Sequence, residues 1–171
     1  VAGGNTYGGG MYNHGFSSPT VANCTFTENT AYSSGGGMYN YSSSPTVSNC
    51  TFSGNTADGG GGMFNEFKST PTVDHCTFSG NRAADGAGML NSGTSPTVSN
   101  CMFSGNIAFY HGGGISSFDA SPTICNCTFS CNTAFDYGLW PFIAGDLAKL
   151  VAASLALPAG WAIVERFRGA L

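Results

Sequence analysis

One unit of 25 or 26 residues recurs five times along the chain, and this internal repeat limits the possible folds more than any other feature. A representative copy runs from Gly35-Gly36-Gly37-Met38-Tyr39-Asn40 through Ser44-Pro45-Thr46-Val47-Ser48-Asn49-Cys50-Thr51-Phe52-Ser53-Gly54-Asn55. Its proline returns at Pro19, Pro45, Pro71, Pro96 and Pro122, and its cysteine at Cys24, Cys50, Cys76, Cys101 and Cys127. Its Phe-x-x-Asn returns as Phe26/Asn29, Phe52/Asn55, Phe78/Asn81, Phe103/Asn106 and Phe129/Asn132. A unit this small cannot fold alone. Burying Met38, Val47, Cys50 and Phe52 contributes roughly 1.5–3 kcal/mol for each large side chain, whereas ordering the backbone costs about 1–2 kcal/mol per residue. The difference must come from burial and hydrogen bonding between successive units, which is the logic of a solenoid.

The runs between turn residues are short. Met-Tyr-Asn, Pro-Thr-Val and Cys-Thr-Phe each suit a strand of about three residues, separated by Gly, Ser, Asn and Pro. No run has a 3.6-residue period, so helical repeats are excluded. Three short strands per coil, stacked at about 4.8 Å, predict a right-handed parallel β-helix of five coils over residues 1–137. Alternation along each strand then sends Met38, Val47, Cys50 and Phe52 inward. The expected interior files are Met11/Met38/Met63/Met89/Ile115, Val21/Val47/Val73/Val98/Ile124, the five repeat cysteines and the five phenylalanines. Asn29, Asn55, Asn81, Asn106 and Asn132 are expected to form a turn ladder, each amide bonding the next rung.

Composition narrows the function. Charged residues make up 8% of the chain, which carries 26 glycines and a net charge of −4. With only Lys68 and Arg82 basic before residue 149, there is no stripe to neutralise phosphates, and nucleic acid is excluded as a partner. The chain has no initiator Met and no recognisable signal peptide, and it reads as a mature fragment or a truncated frame.

The paired motifs resemble the repeats of polymorphic outer membrane proteins, which join a Gly-Gly-Ala-Ile-like tetrapeptide to Phe-x-x-Asn. The second motif stands here as Phe52-Ser53-Gly54-Asn55 and its four equivalents, and the first departs to Gly35-Gly36-Gly37-Met38. The resemblance spans residues 3–135 and implies a surface-exposed β-helix with an adhesive role and no catalysis.

Reactive residues give no clear site. Five cysteines in one inward file, a rung apart, exceed the Cβ spacing a disulfide wants and are expected to be reduced and inert. Cys125, Cys127 and Cys131 break the pattern, and a local disulfide fits them better than a metal, since no histidine is near in sequence. His14, His75 and His111 fall at different repeat positions and read as solvated turn residues. Glu28, Asp58, Glu66, Asp74, Asp85 and Asp119 are scattered, whereas glycoside chemistry needs a paired set; Asp58 and Asp85 alone lie near-equivalent, one rung apart. Thr25, Thr51, Thr77 and Thr128 form an outward file interrupted by Met102. No catalytic or metal residue and no cofactor is assigned. One outward apolar file, Tyr12, Tyr39, Phe64 and Leu90, is the candidate binding stripe for a glycan or protein unless a loop covers it.

Residues 138–171 differ in composition: Asn, Thr and Cys vanish, and Ala and Leu dominate. Leu147–Leu157 suits an apolar helix with Asp146 as N-cap and Pro158 as its end. Leu139–Val164 is long enough to cross a bilayer, although Asp146 and Lys149 are costly there. The segment Pro141-Phe142-Ile143-Ala144-Gly145-Asp146-Leu147-Ala148-Lys149 resembles the last segment of BioY, the biotin-binding component of vitamin transporters. That resemblance implies that Asp146 and Lys149 contact biotin. The competing reading is a cap on the open end of the solenoid, and a fused or misassembled gene would account for both halves.

The sequence thus predicts a non-enzymatic β-helix module, secreted or at the cell outer membrane, with an adhesive or structural role. The alternatives are a biotin-uptake component held in the plasma membrane through its tail, and a carbohydrate-active β-helix protein.

Overall fold

The computed structural model describes residues 7–135. Its first coil holds β1 (Met11–His14), β2 (Thr20–Ala22) and β3 (Thr25–Thr27), and its second β4 (Met38–Tyr41), β5 (Thr46–Ser48) and β6 (Thr51–Ser53). The third adds β7 (Met63–Glu66), β8 (Thr72–Asp74), β9 (Thr77–Ser79) and β10 (Arg82–Asp85). The fourth holds β11 (Met89–Ser92), β12 (Thr97–Ser99), β13 (Met102–Ser104) and β14 (Ile107–His111), and the fifth β15 (Ile115–Phe118), β16 (Thr123–Cys125), β17 (Thr128–Ser130) and β18 (Thr133–Ala134). Equivalent strands stack in parallel into the Met sheet β1-β4-β7-β11-β15, the Val sheet β2-β5-β8-β12-β16 and the Phe sheet β3-β6-β9-β13-β17. The register is one repeat per rung, as in Met38↔Met63, Val47↔Val73 and Phe52↔Phe78. This is the five-coil parallel β-helix that the repeat predicts.

A fourth sheet, β10-β14-β18, corrects the expectation of three strands per coil. Bridges Thr30↔Thr56 and Thr56↔Arg82 extend it backward through the earlier coils. Its inward residue is alanine, with Ala31, Ala57, Ala83 and Ala108 buried. One small side chain among polar neighbours gives almost no alternation signal, so the strand is hard to see in sequence.

The core follows the predicted files in the second to fourth coils, whereas in the fifth Ile124 and Phe129 are 42% and 47% exposed. Met38, Met63, Met89, Val47, Val73, Val98, Phe52, Phe78 and Phe103 are fully buried. Successive phenyl rings stack with centroids 4.7 Å apart and planes within 4° from Phe26 to Phe103. Only glycine fits where each turn meets the Met sheet: a Cβ on Gly37 would sit 2.5 Å from the Gly62 carbonyl oxygen and 2.9 Å from the Phe52 ring. Gly35, opening that turn, has φ +65, a conformation that side-chain-bearing residues rarely adopt.

Two asparagine ladders run through this core. In the predicted one, Asn55 Oδ1 accepts from the Asn29 backbone N–H at 3.0 Å and from Asn29 Nδ2 at 3.1 Å. Asn55 Nδ2 donates back to the Phe26 carbonyl and forward to Asn81 Oδ1. Asn81 and Asn106 repeat the pattern. The second ladder, Asn13→Asn40→Asn65→Asn91, was not anticipated; each Nδ2 donates to the next Oδ1 at 2.8–3.0 Å. These asparagines share the inward parity of the methionines two residues earlier. A buried polar file is tolerable because every amide finds a partner.

All seven cysteines are free thiols, including Cys125, Cys127 and Cys131. The expected local disulfide is absent because the three occupy divergent positions. Cys125 sits on the outward side of β16 opposite Ser99, Cys127 packs against the core, and Cys131 takes a turn with φ +53. The helix expected over Leu147–Leu157, with Asp146 and Lys149, lies outside the described residues.

Candidate functional site

The outer face of the Met sheet carries the predicted stripe, and the structure divides it. Tyr12 is 46% exposed, but Tyr39, Phe64 and Leu90 keep only 3%, 8% and 6% of their surface. The segment entering each glycine turn folds over them, with Ser34, Gly59 and Asp85 bridged one above another. A Cβ on Gly59 would lie 2.9 Å from Leu90 Cδ2. Of the stripe Tyr12, Tyr39, Phe64 and Leu90, the last three are therefore a second small core beneath a backbone cover, the covered alternative, and Tyr12 alone is open. Here Tyr39 donates its hydroxyl to Glu66 Oε2. Burial first, and then that bond, push the phenol well above its usual range, so it stays a donor.

An exposed aromatic surface begins at Tyr12 of that file and continues beside it, through Tyr7, Tyr41 and Phe67, which the sequence reading passed over, and His14, which it read only as a solvated turn residue. His14, Tyr41 and Phe67 stack along the solenoid axis with centroids 5.5 and 5.4 Å apart and planes within 12°. Lys68 Nζ lies 5.6 Å from the centroid of the Phe67 ring. Tyr7 and Tyr12 both stack on Tyr39, at 5.3 and 5.1 Å, and Tyr12 tilts against His14 at 5.7 Å. Tyr7, Tyr12 and Phe67 are 43%, 46% and 51% exposed. The Tyr12 hydroxyl is raised above its usual range, chiefly by burial and then by repulsion from Tyr7, Tyr41 and Glu66.

The turn after β7 bends to place Phe67. Its backbone N–H bonds the Ser92 carbonyl, which sets Phe67 over Gly93. Gly93 carries φ +61, while Phe67 and Lys68 carry φ +49 and +61. The same turn takes positive φ in every coil, at Gly15, Ser42, Phe67, Gly93 and Asp119, so the bend belongs to the fold, and Phe67 is a bulky residue placed where such residues are uncommon. The turn before each repeat proline varies in sequence, from Gly15-Phe16 through Ser42-Ser43 and Phe67-Lys68 to Gly93-Thr94 and Asp119-Ala120, so Phe67 carries no repeat signal.

Polar clusters elsewhere are self-contained. Asp74 Oδ1 accepts from Ser99 Oγ at 2.6 Å and from Asn100 Nδ2 at 2.7 Å, and Oδ2 pairs with His75 Nδ1 at 2.7 Å. These three bonds, led by Ser99, pull the carboxyl down to about 2. Ser99 donates to the carboxylate and not to His75, so no serine–histidine relay is set up. His111 Nδ1 pairs with Asp85 Oδ1 at 2.7 Å, and Asp58 contributes its backbone carbonyl to Ala84 and Asp85. Among the described residues no three His, Cys, Asp or Glu side chains converge as a metal set would. The threonine file is broken by Met102, as the sequence implies, with Met102 47% exposed.

Comparison with curated proteins and with solved structures finds no match. A family model, the right handed beta helix region, matches residues 4–145. The match runs through all five coils and accords with their parallel stacking, and the chain belongs to the right-handed β-helix region family.

Proposed function

We propose that this chain is a non-enzymatic recognition module, exported or held at the cell surface, that acts in adhesion by taking a glycan on the aromatic surface of its first three coils. The observation that carries this reading is the row His14–Tyr41–Phe67, flanked by Tyr7 and Tyr12: four of these five aromatic side chains are exposed and Tyr41 is half-buried, beside Tyr39 and Phe64, which the fold covers. Aromatic rings with polar tips suit sugars, whose C–H faces pack on carbon while their hydroxyls bond to phenol, imidazole and carboxylate. Glu66 and Lys68 supply charged groups at the same edge. The likeness to polymorphic outer membrane protein repeats supports the surface location and the adhesive role.

Isothermal titration of the purified chain against glycans selected on an array tests the reading. A retained glycan whose affinity falls about tenfold, or about 1.4 kcal/mol, in Tyr12→Ala with Phe67→Gly supports it. Equal affinity in that double variant, or no glycan retained, sinks it. Turnover of the bound sugar would instead favour the carbohydrate-active alternative.

The apolar tail, with Asp146 and Lys149 three residues apart, favours a second reading, a biotin-uptake component fused to the repeats. Biotin binding that disappears in Asp146→Ala would move the function to the tail.

A further inference from the structure

We propose that Asn23, Asn49 and Asn126 are sites of N-linked glycosylation, on a corner of the solenoid that holds them in solvent. The inference rests on the exported location proposed above and adds a covalent modification to it. Asn23-Cys24-Thr25, Asn49-Cys50-Thr51 and Asn126-Cys127-Thr128 are Asn-x-Thr acceptor sequences. They stand at one structural position, the turn between the Val and Phe sheets. There Asn23, Asn49, His75, Asn100 and Asn126 all take left-handed backbone, with φ between +49 and +54. The three acceptor asparagines are exposed. The hydroxyl residue two places on begins a strand of the Phe sheet, and Thr25↔Thr51 lie in register on its outer side.

The corner by itself asks only for a residue that tolerates positive φ, a demand that His75 also meets. The amides then divide by use. Asn100, whose acceptor sequence is broken by Met102, spends its Nδ2 on Asp74 at 2.7 Å. Asn23 and Asn49, whose sequences are intact, make no side-chain hydrogen bond within the described residues. Asn126 gives one N–H to Asn100 Oδ1 and keeps the other. In the reaction, the carboxamide nitrogen attacks the anomeric carbon of an oligosaccharide carried on a lipid diphosphate. The N–C bond forms, the C–O bond to the diphosphate breaks, and the amide gives up one proton. A glycosylated Asn126 retains an N–H for Asn100.

A fourth acceptor sequence, Asn40-Tyr41-Ser42, serves as an internal control. Asn40 is fully buried and donates Nδ2 to Asn65 Oδ1 at 2.8 Å. A sugar there would break the inner ladder and could not be enclosed, so a folded chain carries none.

The test is secretion of the full chain from a eukaryotic host, followed by enzymatic deglycosylation and peptide mass spectrometry. Glycans at Asn23, Asn49 and Asn126 with none at Asn40 are the expected result. Thr25→Val, Thr51→Val and Thr128→Val should each remove one occupied site while keeping a strand-forming residue, and Ser42→Gly should leave the pattern unchanged. Bare asparagines at all three corners, or occupancy at Asn40 in the folded chain, would overturn the proposal. Fractionating source cells tests the location on which it depends: a chain found only in the cytosol would sink the exported reading, whereas an exported chain with unmodified corners would sink this inference alone.

Discussion

Two stacks of aromatic rings run along this solenoid, and they differ in burial, regularity and spacing. Inside, Phe26, Phe52, Phe78 and Phe103 lie 4.7 Å apart with planes within 4°, and the last three have no exposed surface. Outside, His14, Tyr41 and Phe67 lie 5.4–5.5 Å apart, tilted by 10–12°, with Phe67 half in water. The rung repeat sets the inner period, because in-register parallel strands bring equivalent side chains to roughly 4.8 Å; outside it pairs His14 with Tyr41, whereas Tyr41 is in register with Glu66 and Phe67 reaches it from the following turn. What differs is the environment: one stack is buried as the core, while the other keeps an open edge to solvent.

The inner stack is where the comparison should break most visibly. Phe78 contacts rings above and below and has no exposed surface, so Phe78→Ala is expected to cost about 3–5 kcal/mol through lost burial and the cavity left behind. Thermal or urea unfolding followed by circular dichroism reads this directly. A loss under about 1 kcal/mol would mean that the phenyl file is not the spine of the fold. Next in size comes the ladder beside it. Asn81→Ala deprives the Asn55 backbone N–H and the Asn55 amide of their shared acceptor and leaves the Phe52 carbonyl without its donor. The expected cost is about 1–3 kcal/mol, that of leaving buried polar groups unpaired. Stability unchanged in Asn81→Ala would assign the coil spacing to the strands alone.

The legibility of the two stacks in sequence follows from the same physics. Phe52 and Asn55 recur without exception in five units, since an interior file tolerates no change of volume or hydrogen-bonding capacity. That regularity made the coils, their register and the phenyl and asparagine files readable before any coordinates. The second ladder, Asn13 to Asn91, holds in four units before Ser117 replaces it in the fifth, and it is hard to see because a polar residue on a core strand reads as outward until parity is counted from its methionine. The fourth sheet was obscured by the small size of Ala57 and Ala83. The outer row was the least legible. His14, Tyr41 and Phe67 are three different residues, and Phe67 enters the stack from a turn and not from a strand. Nor does alternation say that backbone passing Ser34 and Gly59 covers Tyr39 and Phe64; that contact depends on where the chain goes after leaving the strand.

Surface interactions should respond to pH more than to packing. Hydrogen bonds from Ser99, Asn100 and His75 hold the Asp74 carboxyl at about 2, below its ordinary 3.8. Because the folded value is the lower one, the bonds stabilise the fold fully above about pH 4, and this contribution fades as pH falls toward 2. Melting temperatures of the parent and Asp74→Asn should therefore differ at pH 7 and converge near pH 2. A constant difference across that range would assign Asp74 a role independent of its charge.

The smallest expected change in stability is the most discriminating, because it should fall near zero where Phe78→Ala shows a clear loss. Phe67 holds φ +49 above a glycine, and left-handed backbone costs a side-chain-bearing residue about 1–2 kcal/mol. Phe67→Gly relieves that strain and gives up about 0.5–1 kcal/mol in chain entropy, along with the stacking on Tyr41. The balance falls near zero or slightly on the side of greater stability. A ring that serves the fold would show a clear loss of melting temperature on removal. A ring held at a conformational cost for a ligand would show none, and the glycan titration would register its absence instead.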